Sequence, residues 1–258
     1  MFTPQERAEL RASLLAFAAA DTRISGYAIT GSAADAGEDE WSDIDLAFGV
    51  RDGAELSGVL ADWTARMYEQ HLAVHHLDVM AGAWTYRVFI LSNTLQVDLA
   101  FVSQAEFRAL APSFRLVSGK ANEPRHSSPP PVEVLIGLGW LHALHARSSI
   151  ARRKPWQAEY MISGIRDNAL ALACVRRGLP AAHGRGMDLL PRAVTDPFAG
   201  SLVGQLEIGE LSRAFGVAVH GLLAEIRRVD PELAGRLEGA LVGLIAGISK
   251  EAEPPTPD

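Results

Sequence analysis

Tyr27-Ala-Ile-Thr-Gly31-Ser32, followed after ten residues by Asp43-Ile-Asp45-Leu-Ala-Phe48, decides how this chain folds. The runs 24–30 and 43–50 are apolar enough to read as strands, and a glycine-serine pair closes the first. Successive side chains on a strand face opposite ways, so Asp43 and Asp45 project together while Ile44 and Leu46 point to the other side. Two adjacent carboxylates repel each other and gain nothing from an apolar core. They become favourable when they share a hard cation, and magnesium prefers oxygen ligands and substrate phosphates. A turn at Gly31-Ser32 that leads into a helical segment can aim backbone N–H groups and the Ser32 hydroxyl at a triphosphate. Gly31 suits such a turn because a Cβ would obstruct a phosphate approaching the backbone.

A third acid is expected on a neighbouring strand. Gln96-Val-Asp98-Leu-Ala-Phe101 supplies one, and a lone inward acid among apolar residues is costly without a charge partner. Asp78, in His76-Leu-Asp78-Val79, shows the same local pattern but lies near the end of its run, where exposure is easier. Asp98 is therefore preferred.

Outward from these motifs, the pattern is α+β. Thr3-Pro4 reads as an N-cap followed by proline at the first helical position, opening a helix to about Ala20. Residues 54–71 carry apolar side chains at helical spacing, and strand-like runs follow at 72–80, 85–92 and 95–102. Residues 1–121 thus form a domain with a small mixed sheet and helices. The stretch 122–131, Asn-Glu-Pro-Arg-His-Ser-Ser-Pro-Pro-Pro, reads as a linker, because three successive prolines neither continue a helix nor pair in a sheet. Beyond it strand signals vanish. The runs 132–151, 156–177, 203–228 and 231–249 all have three-to-four-residue apolar spacing, which predicts an all-α bundle over 132–250. The tail 251–258 is expected to be disordered.

Composition narrows the possibilities. The 258 residues carry 24 basic and 31 acidic side chains, a net charge of −7, which argues against a nucleic-acid platform. The N-terminus has no secretory pattern, and the most apolar windows are too short or too interrupted to span a bilayer, so no membrane role and a cytoplasmic location are expected. The single cysteine, Cys174, excludes a disulfide framework and reads as a small buried hydrophobe.

Gly-Ser, a gap of about ten residues, Asp-apolar-Asp and a later third acid resemble the signature of the nucleotidyltransferase superfamily of the DNA polymerase β type, over residues 22–118. The resemblance implies that Asp43, Asp45 and Asp98 hold two magnesium ions, and that Gly31 and Ser32 form the phosphate-binding turn. It implies transfer of a nucleoside monophosphate from a nucleoside triphosphate, ATP foremost, to an acceptor hydroxyl. The lengths of the two halves look similar to those of small antibiotic-modifying members acting on aminoglycosides or lincosamides. In those proteins the acceptor lies in the cleft between the domains, and a carboxylate of the helical part serves as general base. Glu159, in Trp156-Gln-Ala-Glu159-Tyr160, is the corresponding nominee, with Asp98 the competing base.

Arg166 falls on the same helix face as Glu159 and could reach the triphosphate or pair with an acid. Lys120, in Val117-Ser-Gly-Lys120, follows the last strand of the first domain and could neutralise phosphate charge. His142 and His145 have a metal-compatible spacing, but nothing nearby completes a ligand set. Arg177 and His183 match a loose ribonuclease-toxin spacing that Gly178 and Pro180 interrupt. Two rival readings stand beside small-molecule transfer. One is an antitoxin-like enzyme that adenylylates a protein, and the other is a non-catalytic module that has kept the fold. A homodimer is compatible with the sequence, which does not fix the oligomeric state.

Overall fold

The computed structural model describes residues 1–126 and 128–251, the side chains of 247–251 excepted. The fold class is α+β: a mixed sheet with helices comes first and an all-helical region follows. The chain divides into two compact units, Met1–Ser127 and Ser128–Asp258. The expected disordered tail, apart from Glu251 at the end of the last helix, lies outside the described residues.

In the first unit, α1 (Pro4–Ala20) is opened by Thr3. Its hydroxyl accepts from the Glu6 backbone, and the Glu6 carboxylate accepts from the Thr3 backbone N–H at 2.7 Å, a capping box. There follow β1 (Ile24–Thr30), a 3₁₀ turn at Gly31–Ala34, β2 (Ile44–Val50), α2 (Leu56–Gln70), β3 (Ala73–Ala81), β4 (Trp84–Leu91), β5 (Gln96–Ser103) and β6 (Phe114–Gly119). The six strands lie in the order β3-β4-β5-β2-β1-β6. Only the β2–β5 pair is parallel; every other pair is antiparallel.

The period-two alternation sorts the side chains of these strands onto two faces. Ile44, Leu46 and Phe48 of β2 and Val97, Leu99 and Phe101 of β5 point toward α1 and α2 and build the main core. At its centre the Trp63 ring of α2, 1% exposed, lies 4.5 Å from Phe48 and 5.5 Å from Phe101. Burying each such aliphatic or Phe side chain is worth about 1.5–3 kcal/mol. The opposite face carries a smaller cluster of Ala28, Ala47, Ala100, Val102, Trp84 and Phe107. The same alternation puts Asp45 and Asp98 on that second face.

The second unit comprises α3 (Val132–Ala151), α4 (Pro155–Arg176), the short α5 (Arg192–Ala199), α6 (Ile208–Val229) and α7 (Pro231–Glu251). The punctuation residues act as expected. Gly178, at φ +68°, lets the backbone turn back at the end of α4, where the Leu179 N–H bonds the Cys174 carbonyl at 2.9 Å. Asp230 caps α7 by accepting from the Leu233 N–H at 2.8 Å. Cys174 is fully buried in the core of this unit. No helix among the described residues is long and apolar enough to cross a membrane.

Candidate active site

Asp43 is the last loop residue before β2, one position short of the strand on which it was expected. Asp45 lies in β2, and the parallel register sets it directly beside Asp98 of β5. One carboxylate oxygen from each of Asp43, Asp45 and Asp98 lies within 4.8 Å of the others, and all three residues are half-buried. This is the one group of three or more His, Cys, Asp or Glu among the described residues placed to hold a metal ion. An all-oxygen donor set of this kind suits a hard divalent cation.

Burial pushes the Asp98 carboxyl up to about 6; the hydrogen bond from Gln96 opposes that rise and the nearby charge of Asp43 adds to it. Gln96 is a site residue that the sequence reading left unassigned. Its Nε2 donates to Asp98 Oδ1 at 3.0 Å and to Asp43 Oδ2 at 3.3 Å, so one amide bridges two acids. The available signal was its place two residues before Asp98, on the same strand face.

Gly31 has a φ of +62°, and a Cβ there would sit 2.0 Å from Asp45 Oδ2 and 2.8 Å from its Cγ. The nearest claim on the empty space is thus the Asp45 carboxylate itself, a reason for glycine that the phosphate argument did not contain. Ser32 follows in the 3₁₀ turn, whose outer side is tied to β6: Arg115 donates to the Ala33 carbonyl at 3.3 Å, and nearby Ser113 donates to Asp35 Oδ2 at 2.7 Å.

The loop that delivers Asp43 is held from beneath. Arg7 of α1, 4% exposed, donates through Nη1 to the carbonyls of Asp39 and Ser42, both at 2.7 Å, and its Nε pairs with Glu38 at 3.1 Å. Asp39 closes the loop on itself by accepting from the Ser42 hydroxyl at 2.9 Å and the Trp41 N–H at 3.0 Å. Nothing in the local sequence around Arg7 distinguishes it from a surface arginine of α1.

The remaining candidates sort themselves by position. Asp78 spends both oxygens on Arg87, at 2.7 and 2.6 Å, which holds its carboxyl below the usual range. Lys120 follows Gly119, which pairs with Gly26, five residues along β1 from Gly31. At about 3.3 Å per residue that is roughly 16 Å. The register therefore places Lys120 at the far end of β1, out of reach of a phosphate at the turn, and the expectation for it is corrected.

Glu159 and Arg166 belong to α4 of the second unit. Glu159 Oε1 accepts from the Ser163 hydroxyl at 2.7 Å, while Arg166 pairs with Asp167 at 3.4 Å and donates to the Ser201 carbonyl at 3.4 Å. His142 packs against Gly164, where an added Cβ would lie 2.7 Å from its Nδ1; burial lowers its pKa. Arg177 and His183 are separated by the turn at Gly178.

No family model matches the chain, and no curated protein matches its sequence. Among solved structures it is similar to the crystal structure of an aminoglycoside 6-adenyltransferase from Bacillus subtilis, with 12% identity, 93% of this chain and 98% of that chain covered, and a TM-score of 0.41.

Proposed function

We propose that the chain is a magnesium-dependent nucleotidyltransferase that moves a nucleoside monophosphate from a nucleoside triphosphate, ATP foremost, to a hydroxyl of a small-molecule acceptor. The observation that carries this reading is the convergence of Asp43, Asp45 and Asp98 beside the Gly31-Ser32 turn. Three carboxylates this close repel one another, and a shared cation relieves that repulsion, so the donor set suits hard cations. Asp43, Asp45 and Asp98 would hold the magnesium ions. When bound, these ions neutralise charge on the phosphates and favour ionisation of the attacking hydroxyl.

The chain's own residues supply the rest. The Gly31-Ser32 turn presents backbone N–H groups and a hydroxyl to the triphosphate. The acceptor oxygen attacks the α-phosphorus, the bond to the bridging oxygen of the β-phosphate breaks, and pyrophosphate leaves. The acceptor proton passes to a carboxylate. Asp98 and Glu159 are the two candidates for that role. Asp43→Asn or Asp45→Asn should reduce pyrophosphate release with MgATP and acceptor by at least about 10²-fold, the scale of losing one transition-state contact. Circular dichroism should be unchanged. Activity retained in either variant would sink the reading.

A further inference from the structure

Two rows of side chains cross the face of the sheet that bears the acids. In one, Leu77 of β3, Val88 of β4, Asp98 of β5 and Asp45 of β2 are successive register partners. In the other, His75, Ile90 and Gln96 are. Leu77 is 63% exposed and Ile90 49%, although both lie in regular strands. Together with His75, Val88 and Gln96 they line a mostly apolar open groove of about 220 Å³. Gln96 belongs to both places, since the same side chain donates to Asp98 and Asp43. Neighbouring strands lie about 4.8 Å apart, so the apolar surface begins one strand from the acids and extends to two.

In-line displacement fixes which reactant this surface faces. The attacking oxygen and the leaving pyrophosphate lie on opposite sides of the reacting phosphorus. If the Gly31-Ser32 turn, on the β1 side of the acids, receives the phosphates that leave, the acceptor enters from the β5 side, over β4 and β3. We infer that the groove lined by Leu77, Val88 and Ile90 is the acceptor subsite. Its occupant is a hydroxyl compound with an apolar face, rather than a polycation. This inference rests on the nucleotidyltransferase reading. The lining supports it further: among the groove residues no carboxylate is present to attract several ammonium groups, and an apolar lining gains its energy from apolar area.

The test uses the whole 258-residue chain. Pyrophosphate release with MgATP is measured for lincomycin, whose sugar carries a propyl-proline amide, and for kanamycin, a polycation, alongside MgATP binding by calorimetry. Wild type and Leu77→Glu/Ile90→Glu are compared; both side chains are solvent-exposed, so the fold should tolerate the change. The expected result is turnover of lincomycin and not kanamycin. In the double variant the KM for lincomycin should rise about 10–200-fold, the range for losing apolar contacts in a pocket, while MgATP affinity stays unchanged. Loss of MgATP affinity in the double variant would show that the groove holds the nucleobase and overturn the inference. So would kanamycin turnover, an unmoved KM, or no turnover by a wild type that binds MgATP. A wild type that fails to bind MgATP removes the nucleotidyltransferase reading itself, and the calorimetry distinguishes that case.

Discussion

Gly31 and Asp98 show what single residues contribute to the site. At Gly31 two demands coincide: a φ of +62° and the Asp45 carboxylate where a Cβ would be. Left-handed backbone costs a non-glycine residue about 1–2 kcal/mol, and the displaced carboxylate would leave its place beside Asp98. Gly31→Ala should therefore lose about 1–2 kcal/mol of stability in urea titration and weaken magnesium binding by a larger factor than that loss implies. An alanine variant with unaltered magnesium affinity would show that Asp45 is not positioned by this vacancy. Asp98 gives a pH signature. Its folded-state pKa, about 6, is raised above the ordinary 3.8. The folded state therefore binds the proton more tightly than the unfolded chain, and stability falls as pH rises between about 4 and 6. Without divalent cations the melting temperature of wild type should drop across that window relative to Asp98→Asn. With magnesium present the sign reverses, because the cation needs the deprotonated form. A flat difference between the two proteins over that range would count against the burial of this acid.

At the scale of elements, the site is a strand pair, a turn and a loop, each held by a different neighbour. The parallel register of β2 on β5 brings Asp45 to Asp98, and α1 holds the loop before Asp43 through Arg7. Arg7→Met keeps the apolar stem and leaves the Asp39 and Ser42 carbonyls without their donor. A lost bond to a charged donor costs about 1.5–3 kcal/mol. The variant should show faster amide exchange confined to 38–42 and a lower kcat, with α1 still helical. Unchanged exchange in that loop would assign Arg7 a purely packing role. These elements differ in how far they could be read in advance. Strand periodicity located Asp45 and Asp98, because alternation along one strand is a local property. β6, Phe114-Arg-Leu-Val-Ser-Gly, is short and largely exposed, so its apolar residues Phe114, Leu116 and Val117 formed no buried-face pattern to announce it. Gln96 binds its near neighbour Asp98 but also Asp43, 53 positions away, and Arg7 binds carbonyls 32–35 positions away; such distant partners depend on register and on loop path rather than on neighbours in the chain. Lys120 failed for the same reason: proximity in sequence to a strand end said nothing about which end of β1 it would meet.

For the molecule as a whole, the first unit divides its labour between the faces of one sheet. The face toward α1 and α2 is packed around Trp63, and the reverse face displays the acids and the apolar groove. Polar chemistry can sit on a thin sheet only if the other side is well anchored, since Phe48 and Phe101, which touch Trp63, belong to the strands that carry Asp45 and Asp98. The second unit has its own core, in which Leu222 of α6 is fully buried against α3, where a Cβ on Gly139 would lie 2.8 Å from its Cδ1. Two separate cores predict separable stabilities. Trp63→Ala should cost about 3–5 kcal/mol and Leu222→Ala about 2–5 kcal/mol, each lowering a melting temperature by on the order of 10 °C. In scanning calorimetry the Trp63→Ala variant should lower the transition that magnesium and nucleotide raise, because ligands stabilise only the unit that binds them. Leu222→Ala should lower the other and leave the ligand-dependent shift intact. If both substitutions instead moved one shared transition by similar amounts, the two cores would have to fold as a single cooperative body.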